Sequence, residues 1–181
     1  MKPQLIIVNG LPATGKTALS RQISQLTNIP TIGKDDIKEL FFDKLGIKDR
    51  EWSAILGASS IETLYLLAEQ LLSHSRSIVI EAPFQPNFSS HRLKNIAKKN
   101  DAEILEIYCL TDPEVRRQRG QGRQQNGERH PGHLHNYQND DDQELLKKYA
   151  PMKIGNYLEV DTTYPEKIHI ELITDKIHSA D

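Results

Sequence analysis

The string Gly10-Leu11-Pro12-Ala13-Thr14-Gly15-Lys16-Thr17 constrains this chain more than any other feature. It has the form G-x-x-x-x-G-K-[ST], and its flanks matter as much as its letters. Four branched apolar residues, 5–8, precede it and read as a strand covered on both faces. Leu19, Ile23 and Leu26, at helical spacing, follow it. A strand, a glycine turn and a helix in that order make a cradle for phosphate. The glycines let the backbone wrap an anion without side-chain clash, the amides point inward, and the helix presents its positive end. Lys16 adds a mobile positive charge for the β- and γ-phosphates, and Thr17 a hydroxyl that can ligate Mg2+. Gly10, Leu11, Pro12, Ala13, Thr14, Gly15, Lys16 and Thr17 are thus the expected nucleotide-binding residues.

The rest of the chain alternates between strand and helix patterns. Strands are expected at 31–33, 77–82, 103–110 and 157–160. Helices are expected at 16–27, 36–45, 53–74, 87–100, 112–125, 140–149 and 165–178, with a polar loop at 126–139. That alternation implies right-handed crossovers and a parallel sheet of about five strands with helices on both faces. The expected fold is therefore α/β, a three-layer P-loop nucleoside triphosphate sandwich. A length of 181 residues suits one domain, 1–181, with 112–142 as an arginine-rich lid. Lys and Arg number 23 against 25 Asp and Glu, a net charge of −2, which argues against non-specific binding to nucleic acid or an anionic membrane. No apolar run approaches the ~20 residues of a membrane span, and the first ten residues do not make a signal peptide. The sole cysteine, Cys109, excludes an internal disulfide and a cysteine metal cluster. These features describe a cytoplasmic chain with no obligate protein partner.

Three kinds of P-loop protein can be compared with the remaining residues. A GTPase should carry Asn-Lys-x-Asp for guanine, and none is present. A motor ATPase should end an apolar strand with an acidic pair, whereas residues 78–80 end in the single Glu81 followed by Ala82-Pro83. A small kinase needs an acid beside the acceptor, a nucleotide pocket and an arginine lid. The acid lies in Gly33-Lys34-Asp35-Asp36-Ile37-Lys38-Glu39, at the strand end where α/β sheets bind ligands. Asp36-x-x-Glu39 reads as a capping box, which leaves Asp35 to accept the proton of an acceptor hydroxyl. Glu81 can hold a Mg2+-bound water or the acceptor, and Phe84 and Gln85 can wall the acceptor pocket. Trp52, Phe41 and Phe42 read as packing residues.

Arg116, Arg119 and Arg123, spaced by three and four, share one helix face suited to a polyanion. They are expected to neutralise charge on the transferring phosphoryl group. Gly120 and Gly122 each weaken that helix by roughly 1 kcal/mol relative to alanine, which suits a moving segment. Asp140, Asp141 and Asp142 read as a solvated helix start. His130, His133 and His135 fall within six residues but lack a fourth zinc ligand. His130 and His133 are instead placed at a lid tip, contacting the acceptor.

These residues resemble the small P-loop kinase group, which includes ATP-binding proteins of the AAA-domain type. Within it, 5′-hydroxyl polynucleotide kinases, chloramphenicol phosphotransferase-like kinases and zeta-toxin-like kinases are the nearest likenesses. The resemblance runs from Leu5 to Arg129 and is most specific in its first 40 residues. It implies an ATP- and Mg2+-dependent transfer to a hydroxyl of a small molecule or a nucleic-acid 5′ end. It also implies Asp35 as the base, Lys34 and Lys38 near the acceptor, and Arg119 with Arg123 as the lid pair. Lys38 stands where polynucleotide kinases use arginine, and lysine lacks the bidentate grip. Two alternatives remain open at this point: a slow ATPase that signals through its lid, and a toxin-like sugar-nucleotide kinase. The choice between ATP and GTP is also open.

Overall fold

The computed structural model describes residues 2–134, 137 and 141–178. Its parallel sheet has five strands, β1 (Gln4–Gly10), β2 (Thr31–Gly33), β3 (Ile78–Glu81), β4 (Glu103–Leu110) and β5 (Asn156–Asp161), in the order β2-β3-β1-β4-β5. The chain winds from β1 to β2 and β3 on one side, then to β4 and β5 on the other. A crevice therefore opens at the C-terminal end of β1, the place where open α/β sheets bind ligands. In register, Val8 pairs with Glu81 and Gly10 with Cys109, while Gly33 pairs with Glu81. The phosphate loop, Glu81 and the start of the Lys34–Asp35 segment thus leave the sheet along one edge.

The helices among the described residues are α1 (Lys16–Thr27), α2 (Lys34–Leu45), α3 (Arg50–Ser73), α4 (Pro86–Lys99), α5 (Pro113–Gln125), α6 (Asp142–Lys148) and α7 (Ile170–His178), of which α1, α3, α4 and α7 pack on the sheet. Alternation along the strands divides the core in two. Leu5, Ile7, Ile78 and Ile80 pack against Leu64, Ala68 and Leu72 of α3 and Leu93 and Ile96 of α4. Ile6, Val8, Ile107 and Cys109 face the other way, onto Leu19 and Ile23 of α1 and Ile173 and Ile177 of α7. β1 is buried throughout, which is why its apolar run is unbroken. No helix among the described residues is long and apolar enough to cross a membrane.

Several local expectations change. α2 begins at Lys34, two residues before the expected start, because Asp36 occupies the third helical position and accepts from the Gly33 amide at 3.2 Å. Asp36 is thus the far member of the cap, and Glu39 is left for another partner. α3 begins at Arg50 because the Asp49 carboxylate accepts from Trp52 N at 2.8 Å. The expected helix 165–178 is divided. Pro165–Lys167 form one 3-10 turn, closed by Ile168 N donating to Pro165 O, and extended Ile168 re-aims the chain so that Ile170, Ile173 and Ile177 face the core. Asp141 caps α6 by accepting from Gln143 N and Glu144 N. Asp142 is not merely solvated: it binds Arg116 at 2.6 Å and also Arg117. Asp140 and His135 lie outside the described residues.

Candidate active site

The phosphate loop has the backbone its residues were expected to supply. Gly10, Ala13 and Gly15 all have positive φ, at 139°, 66° and 81°. A Cβ on Gly10 would stand 2.6 Å from the carbonyl oxygen of Cys109, so glycine is required where β1 and β4 meet. Lys16 lies inside the loop, donating from Nζ to Leu11 O at 2.7 Å. Burial pushes its ammonium pKa down, opposed by Glu81, whose Oε1 lies 4.0 Å away. Burial likewise pushes the Glu81 carboxyl up, opposed by Lys16. Thr17 Oγ1 donates to Glu81 Oε2 at 2.9 Å. A hydroxyl beside a carboxylate, both hard oxygen donors, fits the preference of Mg2+.

One cavity of about 750 Å³ joins this loop to the first turns of α2 and α3. It is lined by Lys16, Thr17, Lys34, Asp35, Lys38 and Glu81, and from the lid by Arg119, Arg123 and His133. Asp35 sits in the first turn of α2, with Lys34 Nζ donating to its Oδ1 at 3.1 Å. Burial alone would raise the Asp35 pKa. The charges of Lys34, His133 and Arg129 outweigh it and hold the carboxyl well below the usual range. Lys38 donates from Nζ to Ser53 Oγ at 2.9 Å, and burial with repulsion from Lys34 lowers its pKa to about 8. Ser53 Oγ in turn donates to Gly132 O at 3.3 Å.

The three lid arginines separate. Arg119 and Arg123 line the cavity, and Arg119 donates from Nη2 to Thr162 O and Thr163 O, each at 2.9 Å. Arg116 turns aside from the cavity. It is 1% exposed, holds Asp142, and places Nη1 3.5 Å from Pro12 O. It supports the phosphate loop from behind because Asp142, far along the chain, supplies its counter-charge.

The histidines also part. His133 faces the cavity and pairs through Nε2 with Glu39 Oε1 at 2.9 Å, the partner that the revised α2 cap sets aside. Burial lowers the His133 pKa. His130 lies away from the cavity, stacked on Phe42 at 5.3 Å, with Nε2 3.2 Å from Asp43 Oδ1. Phe84 is buried against Tyr65, at 6.4 Å between rings, and neither Phe84 nor Gln85 walls the cavity; Pro83 does.

Several residues joined the site without having been anticipated. Asn9 is fully buried, and its Oδ1 accepts from Gly10 N at 2.8 Å and Phe84 N at 2.9 Å. Its Nδ2 donates to Glu106 at 3.1 Å. A buried asparagine inside an apolar strand was the available signal. The Thr162 hydroxyl lies 2.6 Å from Thr14 O and 2.6 Å from the Thr111 hydroxyl, bracing the phosphate loop from the ends of β4 and β5. Arg50 and Arg129 also line the cavity. Arg129 stands beside the histidine stretch, where attention went to the imidazoles.

Residues 5–143 match the sequence profile of a family described as an AAA domain. Over 98% of each chain the protein is 35% identical to a candidate kinase from Chloroflexus aurantiacus, with a TM-score of 0.88. A sugar kinase from a Janibacter species is similar in fold, with 14% identity over 98% of this chain and 96% of that one and a TM-score of 0.65. A shikimate kinase from Bacteroides thetaiotaomicron is too, with 15% identity, 97% and 96% coverage and a TM-score of 0.58. No curated protein matches the sequence.

Proposed function

Because the chain belongs to the AAA-domain family and, within it, to the small P-loop kinases, we propose that it is a Mg2+-dependent phosphotransferase moving the γ-phosphoryl group of ATP to an acceptor hydroxyl. The observation that carries this reading is the shared cavity, in which the phosphate loop, Asp35 and two lid arginines line one space. A nucleotide-binding site alone would need no carboxylate opposite the phosphates.

In this reading the loop amides and Lys16 hold the β- and γ-phosphates. Thr17 and Glu81 would hold Mg2+, which would supply charge neutralisation at the phosphates. Asp35 accepts a hydrogen bond from the acceptor hydroxyl. The acceptor oxygen forms a bond to the γ-phosphorus while the bond to the β-bridging oxygen breaks. The hydroxyl proton passes to an Asp35 oxygen, and ADP departs. A carboxylate held so firmly ionised is a weak base, so it orients the oxygen first and takes the proton late, as a loose transition state allows. Arg119 and Arg123 neutralise the equatorial oxygens as the lid, 112–142, closes within the same domain. Catalysis is then mainly positioning and charge stabilisation.

The test is transfer of label from γ-labelled ATP, with Mg2+, to pooled acceptors: 5′-hydroxyl oligonucleotides, nucleosides, sugar nucleotides, hydroxy acids, aminoglycosides and chloramphenicol. Label on one pool, lost in Asp35→Asn, supports the kinase. ATP bound and only slowly hydrolysed with every pool replaces it with a regulatory ATPase.

A further inference from the structure

The acceptor end of the cavity carries more positive charge than it can satisfy. Lys34 has Asp35 as its counter-charge. Lys38 and Arg129 make no ion pair among the described residues. Among the described residues the Lys38 ammonium donates to the neutral Ser53 hydroxyl and lies 5.2 Å from the centre of the Phe42 ring, neither of them a counter-charge, and the residue is 8% exposed. Arg129 gives Nη1 to the Tyr137 hydroxyl and lies over its ring, while Nε is shielded from solvent with no acceptor. The edge of the guanidinium that remains, Nε with Nη2, is the one that grips two oxygens of a carboxylate or phosphate in parallel. An unsatisfied buried donor and an unpaired buried ammonium are both costly. Two of them at one cavity end indicate that an anion completes the site.

Lys16 is held inside the phosphate loop, donating to Leu11 O at 2.7 Å with Glu81 at 4.0 Å, and with the lid pair Arg119 and Arg123 it supplies the counter-charges of the γ-phosphate. Lys38 and Arg129 are tied elsewhere, Lys38 through Ser53 to the Gly132 carbonyl and Arg129 to Tyr137. An anion on Lys38 and Arg129 is then one that the acceptor brings.

We propose that the acceptor is an alcohol bearing an oxyanion, a carboxylate or a phosphate, held by Arg129 and Lys38 while its hydroxyl faces Asp35. The inference rests on the phosphotransferase reading and narrows it to hydroxy acids and phosphate esters. Neutral acceptors such as a nucleoside or an unmodified sugar leave the two cations unmatched.

The experiment separates this inference from the reading beneath it. The protein is first saturated with Mg2+ and the non-hydrolysable analogue AMPPNP, which fills the γ-phosphate position. Glycerol, glycerate and glycerol 3-phosphate are then titrated calorimetrically, so that one carbon skeleton carries no charge, a carboxylate or a phosphate. At least one anion should bind more tightly than glycerol, and the tighter of the two identifies the group. Arg129→Gln and Lys38→Met should each weaken that anion by about 10- to 100-fold, the worth of a charged hydrogen bond, while AMPPNP affinity stays as in the parent. Arg129→Lys, which keeps the charge and loses the two-pronged edge, should fall between. Lys38→Met gives an independent reading if Arg129→Gln loosens the Tyr137 contact. The proposal is overturned if glycerol binds as well as the tighter of the two anions, if neither anion binds at about 10 mM, or if both variants bind that anion like the parent. AMPPNP binding with no anion binding sinks this inference alone. Failure to bind AMPPNP sinks the phosphotransferase reading and this inference with it.

Discussion

Asp35 and Lys38 lie one helical turn apart, and the same pocket shifts both below their ordinary values for different reasons. Around Asp35 the cations win over burial. Asp35→Asn keeps the shape and one hydrogen-bond acceptor but cannot take a proton. It should lower phosphoryl transfer by about 10²- to 10⁴-fold, the usual range for a positioned base, with AMPPNP affinity unchanged. Near-parental transfer in single-turnover assays would remove Asp35 from its role. Because Asp35 stays ionised through the neutral range, any acid limb in the rate profile between pH 5 and 7 belongs to another group. At Lys38 burial wins, and the folded-state pKa falls from 10.5 to about 8. Between these values the unfolded chain holds a proton that the folded chain has released. Stability from this group therefore rises with pH across that window. Below about pH 8 both states are protonated, and the penalty of the buried charge is constant. Thermal midpoints measured from pH 7.5 to 10 should rise less in Lys38→Met than in the parent. Equal slopes would show that Lys38 titrates as an ordinary surface lysine.

The arginine helix α5 was expected to be weakened evenly by its two glycines. The structure gives them opposite meanings. A Cβ on Gly120 would fall 2.5 Å from the Tyr137 ring, so this glycine lets the aromatic residue seat against the helix. Gly122 has nothing within 4 Å of its Cβ position. Gly122→Ala should therefore stabilise the protein by up to about 1 kcal/mol through helix propensity. Gly120→Ala should destabilise it by about 1–3 kcal/mol through overpacking. Urea denaturation resolves the two signs, and a shared sign would contradict the packing described. Gly132 poses the same problem at the other end of the segment, with its Cβ position 2.4 Å from the Phe42 ring. The contact ties the lid to α2, together with His133 on Glu39. Gly132→Ala should thus raise the acceptor KM more than the ATP KM in steady-state assays. Equal rises would place its effect at the nucleotide instead.

Across the molecule, the features readable from sequence are those with local causes. The phosphate loop, the alternation of elements and the position of Asp35 follow from glycine spacing, hydrophobic period and strand ends. Strand order does not, because β3 rather than β2 pairs with β1 only through contacts 73 residues apart. The same holds for Arg116. Its spacing placed it with Arg119 and Arg123, and only a partner 26 residues away turns it inward. Within the stretch 129–135, whose histidines suggest acceptor contact, no local pattern singles out Arg129 as a pocket arginine rather than a surface one. Asn9 is the sharpest case, since a single side chain of β1 joins β4 and the segment that follows β3. Its carbonyl oxygen holds the Gly10 and Phe84 amides, and its amide nitrogen holds Glu106, fully buried, which also accepts from Met152 N at 2.9 Å. Asn9→Leu would strand two buried amides and take a donor from a buried carboxylate. A loss of about 2–5 kcal/mol follows, with a fall in Tm of about 5–15 °C for a chain of this size. Asn9→Asp divides the two halves of that role. It keeps both amide bonds but sets a second carboxylate beside Glu106, a repulsion that acid relieves by protonating one of the pair. The Tm deficit of Asn9→Asp should therefore shrink as pH falls from 8 to 5, while that of Asn9→Leu should not. Parallel deficits at every pH would mean that the amide bonds, not the tie to Glu106, are what this residue contributes to the sheet edge.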